Sequence, residues 1–288
     1  MKVVGFIGGL GNQMFQYAFY KALQEYFPDV YTDVSEYKKY KLHNGFELEH
    51  IFPVKMNNVN SFYLKILNSD KKIWRIIRRL LNLRDLKCTY WNDDAGNIFT
   101  FLPHFFSDKK KICYRGCWQN EAYFKIIEQD IRNDFTFILP LKDQNIELAA
   151  YILNTNSVSI HVRRGDYLQE PLLAGICEEE YYNKAIVCMN NLVLNAQYIV
   201  FSNDIHWCKQ HLKFSNARYV DWNRGLDSYV DMQLMSLCKH NIIANSTFSW
   251  WGAWLNKNLS KKVIAPQKWV NNNQFDTSTI TPADWIHI

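Results

Sequence analysis

From residue 157 onward the chain alternates short strand-like runs with helical stretches, and this limits the folds open to it more than any single motif. The runs at 157–163 (SVSIHVR), 197–203 (QYIVFSN), 217–222 (ARYVDW), 241–245 (NIIAN) and 262–266 (KVIAP) read as strands. Residues 178–194 and 227–240, between them, read as helices. Strands separated by helices argue for parallel βαβ units and an α/β class. At the start of the chain KVVGFI (2–7) reads as a buried strand and QMFQYAFYKALQEYF (13–27) as a helix stopped by Pro28, which makes the intervening glycines a turn. Residues 29–112 are less regular: a strand-like VYTDV, a loop with His and Asn, then a basic amphipathic stretch. A boundary within 140–156 divides the chain into domains 1–150 and 151–288.

Composition narrows the class. In 288 residues, 48% hydrophobic and 16% aromatic content is enough for one large or two ordinary packed cores. A net charge of +5 fits an anionic ligand but is too small to point to nucleic acid. Seven scattered cysteines without a CxxC pair suggest reduced buried thiols, not a disulfide framework or a zinc site. There is no charged leader with an apolar core and no run of about eighteen apolar residues, so a cytoplasmic protein is expected.

Four stretches carry the chemistry. In GGLGNQ (8–13), glycines between a strand and a helix let backbone N–H groups face an anion. Yet Met14 stands where the dinucleotide fingerprint has its third glycine and no GxxxxGK[ST] occurs, so a plain tight turn and a ligand loop both stay open. In SIHVRRGDY (159–167), His161 and Arg163 share a strand face, and Arg163 with Arg164 offers forked donors suited to a diphosphate. A surface salt bridge to Asp166 is the bland alternative. In FSNDIHW (201–207), Asp204 either caps the next helix or accepts the two N–H donors of a guanine edge. In NIIANSTFSWWGAWLN (241–256), Ser246, Thr247, Phe248 and Ser249 open a helix and suit a phosphate, while Trp250, Trp251 and Trp254 read equally as core. DxD, HExxH and GxSxG are absent, so the charge on any leaving diphosphate would fall to arginines and helix N-termini.

GGLGNQMFQYA, HVRRGDY, FSND and NSTFSWWGAWLN, in that order over nearly the whole chain, together resemble the bacterial α-1,2-fucosyltransferases of glycosyltransferase family 11. The resemblance implies a GT-B type α/β fold, two Rossmann-like domains facing a cleft. It also implies GDP-β-L-fucose as donor, inversion, no metal and no other cofactor, and a galactoside acceptor fucosylated at its 2-hydroxyl, either a galactose-terminated oligosaccharide or a lipid-linked glycan. Residues 1–150 would serve the acceptor side and carry the glycine loop; residues 151–288 would bind GDP-fucose. By the same resemblance Arg163 would clamp the diphosphate, with Arg164 beside it or buried against Asp166. His161 and Asp204 would read guanine, and Ser246, Thr247, Phe248 and Ser249 would hold phosphates and base. Gly9, Gly11, Asn12 and Gln13 would approach the donor across the cleft, Asn12 nearest the fucose. The base is open between Asp166, Glu170 and Glu178, or none. The runner-up enzyme uses another GDP-sugar such as GDP-mannose. A non-catalytic glycan- or nucleotide-binding module is the rival class.

The basic stretch 62–87 holds Lys65, Lys71, Lys72, Arg75, Arg78, Arg79, Arg84 and Lys87 against Asp70 and Asp85. Ile73, Trp74, Ile77, Leu80 and Leu81 are expected on one helical face, with Lys71, Lys72, Arg75, Arg78 and Arg79 largely on the other. Such a stretch reads as a solvated helix over the core, or as a peripheral contact with anionic lipid at the inner face of a membrane. A nucleic-acid binder rests on this stretch alone and is not expected.

Overall fold

Each described strand pairs in parallel with its neighbours, so connections between strands of the same sheet must cross over it. The computed structural model describes residues 1–39, 43–69, 71–81, 89–91, 99–109, 112–214 and 216–288. They divide into the units Met1–Thr136 and Phe137–Ile288. The division falls ahead of the expected 150/151, which would have cut through a helix of the second unit. Asn145 ties that helix to the second unit by bonds with Asn223 and Trp222.

The first unit contains β1 (Lys2–Gly5), α1 (Leu10–Gln24), β2 (Val30–Asp33), α2 (Leu48–Ile51), α3 (Ser61–Asn68), α4 (Lys72–Leu80), β3 (Thr89–Trp91), β4 (Ile112–Arg115) and α5 (Glu128–Asp134). Its strands lie in the order β2-β1-β4-β3. α1 begins three residues before the expected start, inside the glycine turn, because the Gly9 carbonyl accepts the Asn12 and Gln13 N–H groups at 3.0 and 3.1 Å. An aromatic core holds this helix. Phe19 stacks on Trp118 with centroids 4.0 Å apart and meets Phe105, Tyr114 and Tyr123 edge-on.

The second unit contains α6 (Gln144–Asn154), β5 (Ser157–Val162), α7 (Glu179–Leu192), β6 (Gln197–Ser202), α8 (Ile205–His211), β7 (Ala217–Val220), α9 (Tyr229–Leu237), β8 (His240–Ile242), α10 (Thr247–Leu255), β9 (Val263–Ala265) and β10 (Ile286–His287). The sheet order β10-β9-β8-β5-β6-β7 reverses direction between β5 and β8. That reversal is the topological switch of a doubly wound sheet, where ligands gather beyond the strand carboxyl ends. All five expected strands are present; β8 stops at Ile242, which leaves Ala244 and Asn245 in the turn beyond it.

β5 splits by alternation. Val158, Ile160 and Val162 pack against Tyr182, Ala185, Ile186 and Met189 of α7. Ser159 and His161 point to the opposite side, where Ser159 accepts a 2.7 Å bond from the Asn241 amide. The α10 tryptophans are core: all three are buried, and Trp250 donates to the Ile280 carbonyl at 2.8 Å. Cys113, Cys177, Cys208 and Cys238 are buried, and burial pushes the thiols of Cys113 and Cys208 up to about 11. Among the described residues no helix is long and apolar enough to cross a membrane.

α4 is turned differently from its expected orientation. Arg78 is buried and donates to the Ile66 carbonyl near the end of α3, whereas Ile73, Leu80 and Leu81 are exposed. A guanidinium satisfying carbonyls at a helix C-terminus outweighs the simple amphipathic pattern. Asp70, Arg84, Asp85 and Lys87 lie outside the described residues.

Candidate functional site

Beyond Val162 the chain passes Arg163 and Arg164 and turns at Gly165 with φ +23°, where a Cβ would stand 2.3 Å from the Asn203 amide nitrogen. The Asn203 side-chain oxygen Oδ1 accepts the Arg164 backbone N–H at 3.1 Å, so the ends of β5 and β6 are laced together. The two arginines then separate in role. Arg164 gives Nη1 to Glu178 at 2.7 Å, sets Nε 3.6 Å from Asp204, and lies 4.0 Å over the Trp207 ring. Its partner is therefore Glu178 with Asp204, not Asp166. The reason is positional: Glu178 and Asp204 are the N-cap residues of α7 and α8, which begin beside this turn.

Arg163 remains partly exposed, with 29% of its side chain accessible. Its guanidinium pairs with Asp166 at 2.9 Å and stands 5.5 Å over the Tyr167 ring. Because Asp166 is itself half exposed, that pair is weak and yields readily to a stronger anion. His161, one strand step back, is buried with its ring 5.6 Å from that of Phe248, and burial followed by the Arg163 charge lowers its pKa to about 3. The imidazole is neutral at working pH, and its buried Nδ1 has no hydrogen-bond partner in the protein.

Across the switch, Ser246 is the N-cap of α10 yet makes no side-chain cap bond. Burial raises the pKa of the nearby Tyr167 phenol, against the opposing influence of Arg163 and Ser246. Thr247 and Phe248 follow, half-buried in the first helical turn. Ser249 does not belong with them: it is fully buried and donates back to the Ser246 and Ala244 carbonyls at 3.3 and 3.5 Å, as a serine inside a helix does. Asp204 takes its structural alternative. One oxygen caps α8 through the Trp207 N–H at 3.1 Å and the other faces Arg164.

A carboxylate that no motif marked stands on the same rim. Asp231 lies in the first turn of α9, the helix that with α10 covers the His161 side of the sheet. It accepts a 2.7 Å bond from Asn223, and burial lifts its pKa to about 7. In sequence it is an ordinary acidic residue in a helix; only its burial distinguishes it.

The glycine turn of the first unit is built differently. Gly8 has φ +90°, a conformation that favours glycine, and a Cβ there would stand 2.7 Å from the Asn12 amide. Gln13, expected to bind donor, is fully buried and staples the loop: it donates to the Gly8 and Gly45 carbonyls at 3.1 and 2.8 Å and accepts the Glu47 N–H at 2.9 Å. Asn12 is half-buried and accepts from Gln119 at 3.0 Å. Gly9 opens α1 with no side-chain cap, and Gly11 is buried within the first turn. Among the described residues no three His, Cys, Asp or Glu side chains gather as metal ligands.

Two parallel α/β units, the second doubly wound, define an α/β fold of the GT-B type. The fold matches that of the NodZ α-1,6-fucosyltransferase co-crystallised with GDP, with a TM-score of 0.53 over 87% of this chain and 91% of that one at 13% identity. Residues 2–288 match the model of Glycosyl transferase family 11, and the chain belongs to that family. It is 37% identical to an alpha-1,2-colitosyltransferase of Escherichia coli, across 98% of this chain and 96% of the relative. It is 33% identical to the O-antigen biosynthesis glycosyltransferase WbnK of Escherichia coli, across 98% of both.

Proposed function

We propose that this family 11 member is a cytoplasmic, inverting and metal-independent fucosyltransferase that moves L-fucose from GDP-β-L-fucose to the 2-hydroxyl of a galactoside. The observation that carries the reading is the partly exposed Arg163 guanidinium at the end of β5, beside a helix start whose serine makes no side-chain cap bond. The diphosphate displaces Asp166 from Arg163 and lies toward the first turn of α10, where the Ser246, Thr247 and Phe248 segment supplies donors. Guanine sits toward His161 and Phe248. Asp231, rather than the occupied Asp204, accepts its N1–H and N2–H, a pairing that requires the ionised carboxylate.

The acceptor hydroxyl attacks the anomeric carbon as the bond to GDP breaks, through a transition state with oxocarbenium character. Negative charge grows on the departing β-phosphate oxygen, and Arg163 is already fixed to meet it. Asp166 orients the guanidinium before the donor arrives. A loose transition state then needs little help from a base, and the acceptor proton passes to the departing diphosphate or to water once the new bond has formed.

The test is GDP release from GDP-fucose with lactose or N-acetyllactosamine in EDTA. Turnover that survives chelation supports the reading. Loss of turnover that Mg²⁺ restores overturns metal independence, and failure to bind GDP overturns the donor assignment. The colitosyltransferase relative raises a second donor, GDP-colitose, whose sugar lacks the 3-hydroxyl of fucose. A pocket that hydrogen-bonds that hydroxyl rejects the deoxy sugar by a factor of about 10⁴. The ratio of kcat/KM for the two donors decides, and fucose is expected to win.

A further inference from the structure

Fixed on its inner side by the buried Arg78 and by half-buried Trp74 and Ile77, α4 turns two adjacent stripes to the outside. One is cationic: Lys72, Arg75 and Arg79, all exposed and spaced three and four apart. The other, beside it, is apolar: Ile73, Ile76 and Leu80 are 61%, 48% and 78% accessible. α3 extends the pattern, with Phe62 and Tyr63 exposed next to exposed Lys65, and Phe62 packs edge-on against Trp74. Within 61–81 the sequence holds one acidic residue, Asp70. Among the described residues, Lys65, Lys71, Lys72, Arg75 and Arg79 form no ion pair.

We propose that the α3–α4 hairpin is an interfacial anchor that lies on a bilayer containing anionic lipid. Its apolar stripe enters the boundary between headgroups and acyl chains, and its cations sit at the lipid phosphates. Helices that lie in a membrane surface have this division, a strong apolar edge beside a basic one. Charge complementarity selects the occupant. A second copy of the chain would bring five cations against five across the same face, whereas an anionic leaflet attracts each of them. A nucleic acid would satisfy the cations but leave the isoleucines and leucine in water.

The test is co-sedimentation of the full chain with phosphatidylcholine vesicles, with and without 30% phosphatidylglycerol. Binding is expected at 50 mM salt on the anionic vesicles alone, and weaker by at least tenfold at 500 mM. Each cation near such a surface is worth about a fivefold change in partition. Replacing three of them, Lys72→Gln with Arg75→Gln and Arg79→Gln, should therefore reduce partition about a hundredfold. Ile73→Ser with Ile76→Ser and Leu80→Ser should reduce it as well. All six positions are exposed, so the thermal midpoint of both variants should match the parent.

No binding to anionic vesicles at low salt overturns the proposal, and so does binding that neither variant weakens. A chain that sediments as a dimer, becomes monomeric with the three serines and ignores vesicles would show that the face joins two copies, which also overturns it.

Discussion

The glycine turn after β1 and the α10 turn after β8 look alike in the sequence, each a strand running through small residues into an uncapped helix. Their polar side chains have opposite fates. Around the first turn Gln13 and Gln16 are fully buried and bond loop backbone at Gly8, Gly45, Ile7 and Gly116. Around the second, Ser246 makes no side-chain cap bond, His161 keeps an unpartnered nitrogen and Arg163 holds a weak surface ion pair. A strand-to-helix turn is a binding site to the extent that donors remain after the turn itself has been built.

The largest effect expected of this contrast is on the second turn. Arg163→Ala should lower kcat by a factor of about 10²–10³, about 3–4 kcal/mol, with an unchanged thermal midpoint. An equal loss of stability would show that Arg163 belongs to the scaffold like Gln13. In the first turn Gln13→Ala should do the reverse. It orphans backbone groups at half-buried Gly45 and buried Glu47 and should cost about 3 kcal/mol in denaturant unfolding, while GDP affinity is retained. Gly165→Ala comes next and mixes the two behaviours. Strain at φ +23° and the collision with Asn203 should cost about 2 kcal/mol of stability and also displace Arg163, so GDP titration should show weaker binding.

The smallest effect is a pH signature. Asp231 has a folded-state pKa raised to about 7, so its protonated form stabilises the fold below about pH 4, and that contribution is lost as pH rises through 7. Asp231→Asn, a neutral isostere that keeps the Asn223 bond, should raise the thermal midpoint at pH 8 and leave it unchanged at pH 4. The same substitution should remove the part of GDP affinity that grows between pH 6 and 8 as the carboxylate ionises. A parent whose midpoint matches the variant at both pH values would show Asp231 to be solvated and outside the site.

Much of this fold is legible in the residues, because period-2 and period-3.6 patterns are local. The strands at β5, β6, β7, β8 and β9 and the helix after the glycines could all be placed that way. The partners of Arg164 were not legible. Asp166 lies two residues away, whereas Glu178 and Asp204 come near only when two helix starts converge on one strand end. Asp231 carries no signal either, since a carboxylate in the first turn of a helix is the ordinary choice for the dipole. The orientation of α4 depended on a carbonyl of α3 that no periodicity contains. Where a side chain's role is set by groups distant in the chain, spacing is silent.

The pairing of β5 with β8 joins segments about eighty residues apart, Val158 beside His240 and Ile160 beside Ile242. The proposed donor groups flank that seam, Arg163 and His161 on one side and the start of α10 on the other. A nucleotide held by both sides would act as a tie across the centre of the sheet. At a hundred times its dissociation constant it would add about 2.7 kcal/mol to the cohesion of the second unit. Resistance to proteolysis should therefore rise with nucleotide concentration in this half of the chain, so that substrate supply also governs how long the protein survives.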